Sequence, residues 1–177
     1  MIGKWVSEIE AILRDARAVL DGLTPEQANL QPEPGHWSVA QNIAHVTRTT
    51  VPYLERIEAA LKSPSQNGPI RPGILAALLE RVMEPPPRMR VKTFRRLEPP
   101  ERVDVATALA EFDAAHHRLG QLLQGAGEAD FVRTHFQSPY MPLMRVRVDQ
   151  GVRVVLAHSR RHLWQARKVR RTLGVPG

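Results

Sequence analysis

The chain has no cysteine among its 177 residues. Disulfides and thiolate metal sites are therefore excluded, and any transition metal must be held through nitrogen and oxygen. Aromatic residues make up only 5% of the chain, too few for a stacking platform that binds single-stranded nucleic acid. No apolar run approaches the roughly 20 residues needed to cross a bilayer. The opening segment MIGKWVSEIE lacks an apolar leader and enters an amphipathic pattern directly. We expect no membrane association and a cytoplasmic location. Internal repeats and long low-complexity tracts are also missing, and the length suits one domain over residues 1–177.

Positive charge is abundant: 25 Lys and Arg against 18 Asp and Glu give a formal charge of +7. An excess of that kind admits nucleic acid, anionic lipid or anionic small molecules as partners. The basic residues are dispersed except near the C-terminus, where Arg160, Arg161, Arg167, Lys168, Arg170 and Arg171 read as the solvated face of a helix. Nucleic acid is accordingly not the expected partner, and a small molecule is.

Hydrophobic periodicity predicts four long amphipathic helices and no strand pair, hence an all-α four-helix bundle. The first spans about 3–23, with Val6, Ile9, Leu13, Ala16, Leu20 and Leu23 as its stripe. Thr24-Pro25-Glu26 opens a further turn with Thr24 as a candidate N-cap. The second main helix begins after Ser38, where Ser38 and Gln41 have capping-box spacing, and a kink is expected at Pro52. The third covers about 103–124 and the fourth about 148–173, ended by Gly174 and Pro176. A proline-rich connection, 63–100, joins the second and third. Within it a short helix near 73–83 is plausible, and MRVKTFRRL suits an extended strap. Residues 130–147 read as irregular, with a turn at SPYMP.

The strongest chemical signal is histidine. His158 and His162 stand four apart, one helical turn on one face, and His45 lies on the second main helix. Three neutral imidazoles can hold one divalent cation and leave a coordination position open. The bland alternative is a set of ordinary core and boundary histidines. HExxH zinc-peptidase chemistry is excluded, because Ser159 stands where the general base belongs. Gln41 and Gln165 are spaced to orient an imidazole, although capping suits Gln41 better. His116 falls on the third helix's apolar stripe and is the reserve ligand, with a satisfied core role preferred. His36, His117 and His135 are not assigned to the metal, and Trp164 suits a core or interface anchor.

Two segments, PGHWSVAQNIAH from Pro34 to His45 and AHSRRHLWQ from Ala157 to Gln165, resemble the DinB-like (YfiT-like) family of metalloenzymes. The resemblance takes in the order and length of essentially the whole chain. By position it implies that His45, His158 and His162 are the metal ligands. It also implies a four-helix bundle, often dimeric, with zinc or nickel as the metal and iron as a further choice. Relatives include S-transferases that use bacillithiol or mycothiol and a mycothiol-dependent maleylpyruvate isomerase. One departure is Gln41, where family members often carry glutamate. The expected activity is transfer of a low-molecular-weight thiol cosubstrate. The alternatives are metal-dependent hydrolysis and a non-catalytic metal- or ligand-binding bundle.

Overall fold

The computed structural model describes residues 1–63, 73–86 and 93–174. Helix α1 is Ile2–Leu20, α2 Pro25–Asn29, α3 Val39–Lys62, α4 Ile74–Met83, α5 Val105–Gly125, α6 Glu128–Arg133 and α7 Val148–Thr172. The long helices α1, α3, α5 and α7 form the four-helix bundle. Helix α3 packs on α5 and α7, α1 packs on those same two, and α4 lies against α7. No helix among the described residues is long and apolar enough to cross a membrane.

Helix boundaries follow local chemistry. Thr24 and Ser38 each close a capping box, with Gln27 and Gln41 respectively. Helix α1 stops three residues before the expected end, where Gly22 takes φ +71° and turns the chain. Its buried face is Trp5, Ile9, Ile12, Leu13, Ala16, Val19 and Leu20, so Trp5 rather than Val6 enters the core. Trp5 meets the ring of Phe131 edge-on at 5.6 Å. Helix α5 starts two residues later than expected, because the Asp104 carboxylate caps the Thr107 amide.

Pro52 sits inside α3 without ending it. Proline has no amide hydrogen, so the Arg48 carbonyl loses its helical donor. The Tyr140 hydroxyl fills the gap: it donates to the Thr49 carbonyl at 2.8 Å and lies 3.4 Å from that of Arg48.

Two expectations need correction. The stretch 130–147 is not irregular: it holds α6 and two antiparallel strands, β1 (His135–Gln137) and β2 (Arg145–Arg147), with Phe136 opposite Val146. Each strand has three residues, and only its central one is buried. That is too short for a period-two signal to register. Phe136 lies so close to Gly151 that a Cβ there would come within 2.6 Å of the ring, so glycine is what lets the hairpin rest on α7. The second correction concerns the basic run on α7, which is only in part a solvated face: Lys168 and Arg171 are exposed, the others are not. Arg161 and Arg170 are buried, and their guanidinium groups donate to the carbonyls of Val82 and Ala18. Arg160 pairs with Glu8 and Glu84, and Arg167 with Asp15. Helix α7 lies between α1 and α4, so its polar side becomes an interface.

The short helix near 73–83 is present as α4, and part of the expected strap is a 3-10 turn at Arg95–Leu97. Residues 64–72 and 87–92 of the proline-rich connection and the terminating Pro176 lie outside the described residues.

Candidate metal centre

Helix α3 brings His45 to α7 because its apolar residues pack on that helix, and Ser38 fixes where α3 begins. His158 and His162 face it from successive turns of α7. The three ring centroids are 4.5–5.2 Å apart. One nitrogen from each ring lies within 4.8 Å of those of the other two. His45 and His162 are buried and His158 is half-buried.

Each ring is held by its Nδ1. That of His45 donates to the Leu97 carbonyl at 2.8 Å, and that of His162 to Asn42 Oδ1 at 2.9 Å. Asn42 is itself fixed, since its amide donates to the Ser38 carbonyl at 2.9 Å. The Thr49 hydroxyl donates to the His45 and Val46 carbonyls, leaving its oxygen to accept from His158 Nδ1 at 3.3 Å. With every Nδ1 protonated and committed, the Nε2 lone pairs are free for a ligand. Carbonyl, amide and hydroxyl acceptors behind metal-binding imidazoles serve this orienting purpose. Trp37 closes the back, its ring 4.5 Å from His45 and 5.7 Å from His162.

Electrostatics keep the rings neutral. Burial pushes His45 down to about 4, outweighing the Leu97 carbonyl, and the nearby Arg48 charge adds to the fall. His158 falls to about 3 through burial, with His45 and Arg161 beside it. His162 drops well below the ordinary histidine range through burial first, then its two partner rings and Arg161. At neutral pH the cluster therefore presents uncharged nitrogen donors, the state that binds a transition metal. The donor set fits a divalent transition-metal ion.

His45 and His158 line a cavity of about 240 Å³. Its apolar lining includes Leu79, Met83, Leu97, Met141, Val154 and Val155, and Thr49, Thr50, Tyr53 and Ser138 contribute hydroxyls. No charged side chain is among the described lining residues.

The other candidates are placed differently. Gln41 completes the α3 cap, and its amide donates to the Pro100 and Glu101 carbonyls at 3.0 and 3.2 Å. A carboxylate could not make those donations, so Gln41 serves here as a clamp on the chain before α5. No hydrogen bond joins Gln165 to the three rings. His116 is a satisfied core residue, with Nδ1 donating to the Phe112 carbonyl at 2.8 Å and Nε2 accepting from Ser159 at 3.0 Å. His117 is exposed and donates to the Asp113 carbonyl, His36 lies beside Glu33, and His135 sits on β1. Asn42 and Thr49 went unread in the sequence, although Asn42, His45 and Thr49 recur at three- and four-residue steps, a polar line along a buried helix.

Residues 8–166 match the DinB superfamily, and the chain belongs to that family. A curated protein of Geobacillus kaustophilus (strain HTA426), described as a "putative metal-dependent hydrolase", is 25% identical over 138 residues. These take in 75% of this chain and 65% of that relative, so the chain spans just under two thirds of the relative's length. YfiT from Bacillus subtilis, described as "a probable metal-dependent hydrolase with an unusual four-helix bundle topology", aligns over 99% of this chain and 89% of its own. The TM-score is 0.68 at 19% identity, a likeness of fold.

Proposed function

We propose that this member of the DinB superfamily is a metal-dependent hydrolase of a small molecule, holding one divalent cation on His45, His158 and His162. Zinc or nickel is the preferred ion and iron the next. The observation that carries the reading is the shared arrangement of the three rings: each Nδ1 donates to a fixed acceptor, which leaves each Nε2 free, and His45 and His158 line a cavity. When bound, such an ion acts as a Lewis acid and lowers the pKa of water towards about 7. The chain's own part is to hold the imidazoles neutral and oriented, exclude water behind them with Trp37, and shape the cavity in front. No aspartate or glutamate joins the three histidines among the described residues, so no protein carboxylate stands ready there as a general base.

Thiol transfer, the first expectation from the family resemblance, takes second place. Both relatives are described as hydrolases. The described cavity lining also has no cationic side chain to receive a thiol cosubstrate's carboxylates. We also take the chain to be a single domain over 1–177, cytoplasmic and homodimeric. The exposed Ile74, Leu75 and Leu78 of α4 supply an apolar face for a second copy. A single-chain mass in sedimentation would overturn that pairing.

Elemental analysis of untagged protein tests the centre, with one zinc or nickel per chain as the expected result. Hydrolysis of uncharged esters that depends on the added ion supports the reaction. Stoichiometric metal without any hydrolysis would leave a metal-binding bundle in its place.

A further inference from the structure

Three exposed arginines line one groove on the outside of the bundle. Arg48 and Arg56 come from α3, and Arg96 from the 3-10 turn Arg95–Leu97. The groove measures about 530 Å³, and Val51, Pro52, Leu97, Pro139 and Tyr140 supply its apolar lining. Leu97 and Tyr140 line both this groove and the cavity at His45 and His158.

No carboxylate neutralises the three guanidinium groups. Among the described residues none of them makes an ion pair. Glu58, further along α3, is taken by Lys62 and Arg118. Residues 64–72, 87–92 and 175–177 contain no Asp or Glu, and their charged residues, Arg71, Arg88, Arg90 and Lys92, are basic. Glu55 is the one acid lining the groove among the described residues, so three positive charges against one negative leave a net +2.

Two of the arginines are also held in place. Arg96 lies over the rings of Phe94 and Tyr140, 5.9 and 5.8 Å from their centres, and its Nη2 is 3.4 Å from the Pro139 carbonyl. Arg48 Nη2 is 3.5 Å from the Arg96 carbonyl, which ties the helix side of the groove to the turn side. A single exposed guanidinium holds an anion weakly. Several forks reaching one groove from two elements suit the tetrahedral oxygens of a phosphate.

We propose that this groove binds the phosphoryl group of a small organic phosphate monoester, whose apolar part rests on the apolar lining. Such a group concentrates nearly two negative charges on three oxygens at neutral pH, which matches the net +2. A long polyanion would have to carry its phosphates past Glu55. The site does not depend on the hydrolase reading. It adjoins the metal centre all the same, because Arg96 precedes Leu97, whose carbonyl holds His45.

The test is calorimetric titration of the full chain with phenyl phosphate at about pH 7.5 and physiological salt. Zinc-loaded and metal-free protein should each bind one molecule per chain with equal affinity. Benzenesulfonate keeps the ring and the tetrahedral group with one charge fewer, and should bind at least about tenfold weaker. Inorganic phosphate, without the ring, should bind at least about threefold weaker. Arg48→Gln and Arg96→Gln should each weaken phenyl phosphate about tenfold. Arg171→Gln is the control: it removes the same charge from an exposed position that does not line the groove, and should leave affinity unchanged. Binding that requires zinc would place the phosphate on the ion and overturn the proposal. An equal loss in Arg171→Gln would reduce it to diffuse charge, and tighter binding of phthalate would make the groove a dicarboxylate site instead. Tight binding of a single-stranded oligonucleotide while phenyl phosphate fails would make this face a nucleic-acid surface, which also overturns it.

Discussion

His116 and the His45–His158–His162 cluster occupy similar depths in one bundle and differ in how their nitrogens are used. His116 spends both, one on the Phe112 carbonyl and one on Ser159. Each cluster ring spends only Nδ1. Ser159, which closes the His116 environment, lies directly after His158 on α7, so one turn of helix serves a closed region and an open one. Burial alone therefore does not mark a site. What marks it is an incomplete set of hydrogen bonds beside a cavity.

The largest expected effect comes from acid, and it treats the two regions alike. Burial lowers His116 and His45 to about 4, lowers His158 to about 3 and puts His162 below the ordinary value of 6.5. The unfolded chain then binds more protons than the fold as pH drops below about 6.5. Stability is complete above that value and is lost as pH falls towards about 4. Each group adds a slope of about 1.4 kcal/mol per pH unit, so four together remove at most about 14 kcal/mol between pH 6.5 and 4, comparable to an ordinary domain's reserve of about 5–15 kcal/mol. Urea titrations of metal-free protein from pH 7 to 4.5 should show this fall, with His116→Leu shallower by one group. A flat profile would mean that the four rings are not buried neutral.

Replacing ligands separates the regions. His162→Ala or His158→Ala should cut zinc affinity by more than about 100-fold, beyond the 10–100-fold typical of losing an orienting partner. His116→Leu should still bind one zinc per chain, even if less stable. Calorimetric titration with zinc checks both, and retention of one tight zinc by the His158→Ala/His162→Ala double variant would remove these residues as ligands.

Much of this distinction was legible beforehand, for identifiable reasons. Four helices and the facing pair His158 and His162 follow from spacing that local geometry enforces, as does the Ser38–Gln41 cap, whereas His45 was joined to the pair by the family resemblance. The hairpin was hidden because each strand buries one residue. Asn42 was hidden because its partner lies 120 residues away, and only the packing of α3 on α7 joins them. The arginines of α7 were misread because periodicity finds a polar face without telling whether water or another helix covers it. Arg161 and Arg170 are covered.

Asn42 sharpens the comparison at its next level. Asn42→Leu removes the acceptor behind His162 and leaves every ligand in place. Zinc affinity should fall about 10–100-fold. Asn42→Asp keeps an acceptor oxygen and should recover most of it. If Asn42→Leu binds zinc like the parent chain, the cluster does not depend on its held Nδ1 atoms and the contrast with His116 loses its physical basis.

The smallest effect concerns the stretch of α3 around Pro52, which carries one wall of the open region. Tyr140 donates to Thr49, whose hydroxyl in turn accepts from His158, next to the carbonyl that Pro52 leaves without its helical donor. Tyr140→Phe removes one hydrogen bond and leaves the ring in place, so stability should fall by about 1 kcal/mol, or about 2–4 °C in melting temperature. Zinc affinity should change less than about twofold, because Thr49 stays anchored to the His45 and Val46 carbonyls through its own side chain. A loss of zinc affinity as large as that of Asn42→Leu would extend the open region outward to the hairpin: α3 would then need Tyr140 beside Pro52 to keep Thr49 beneath His158.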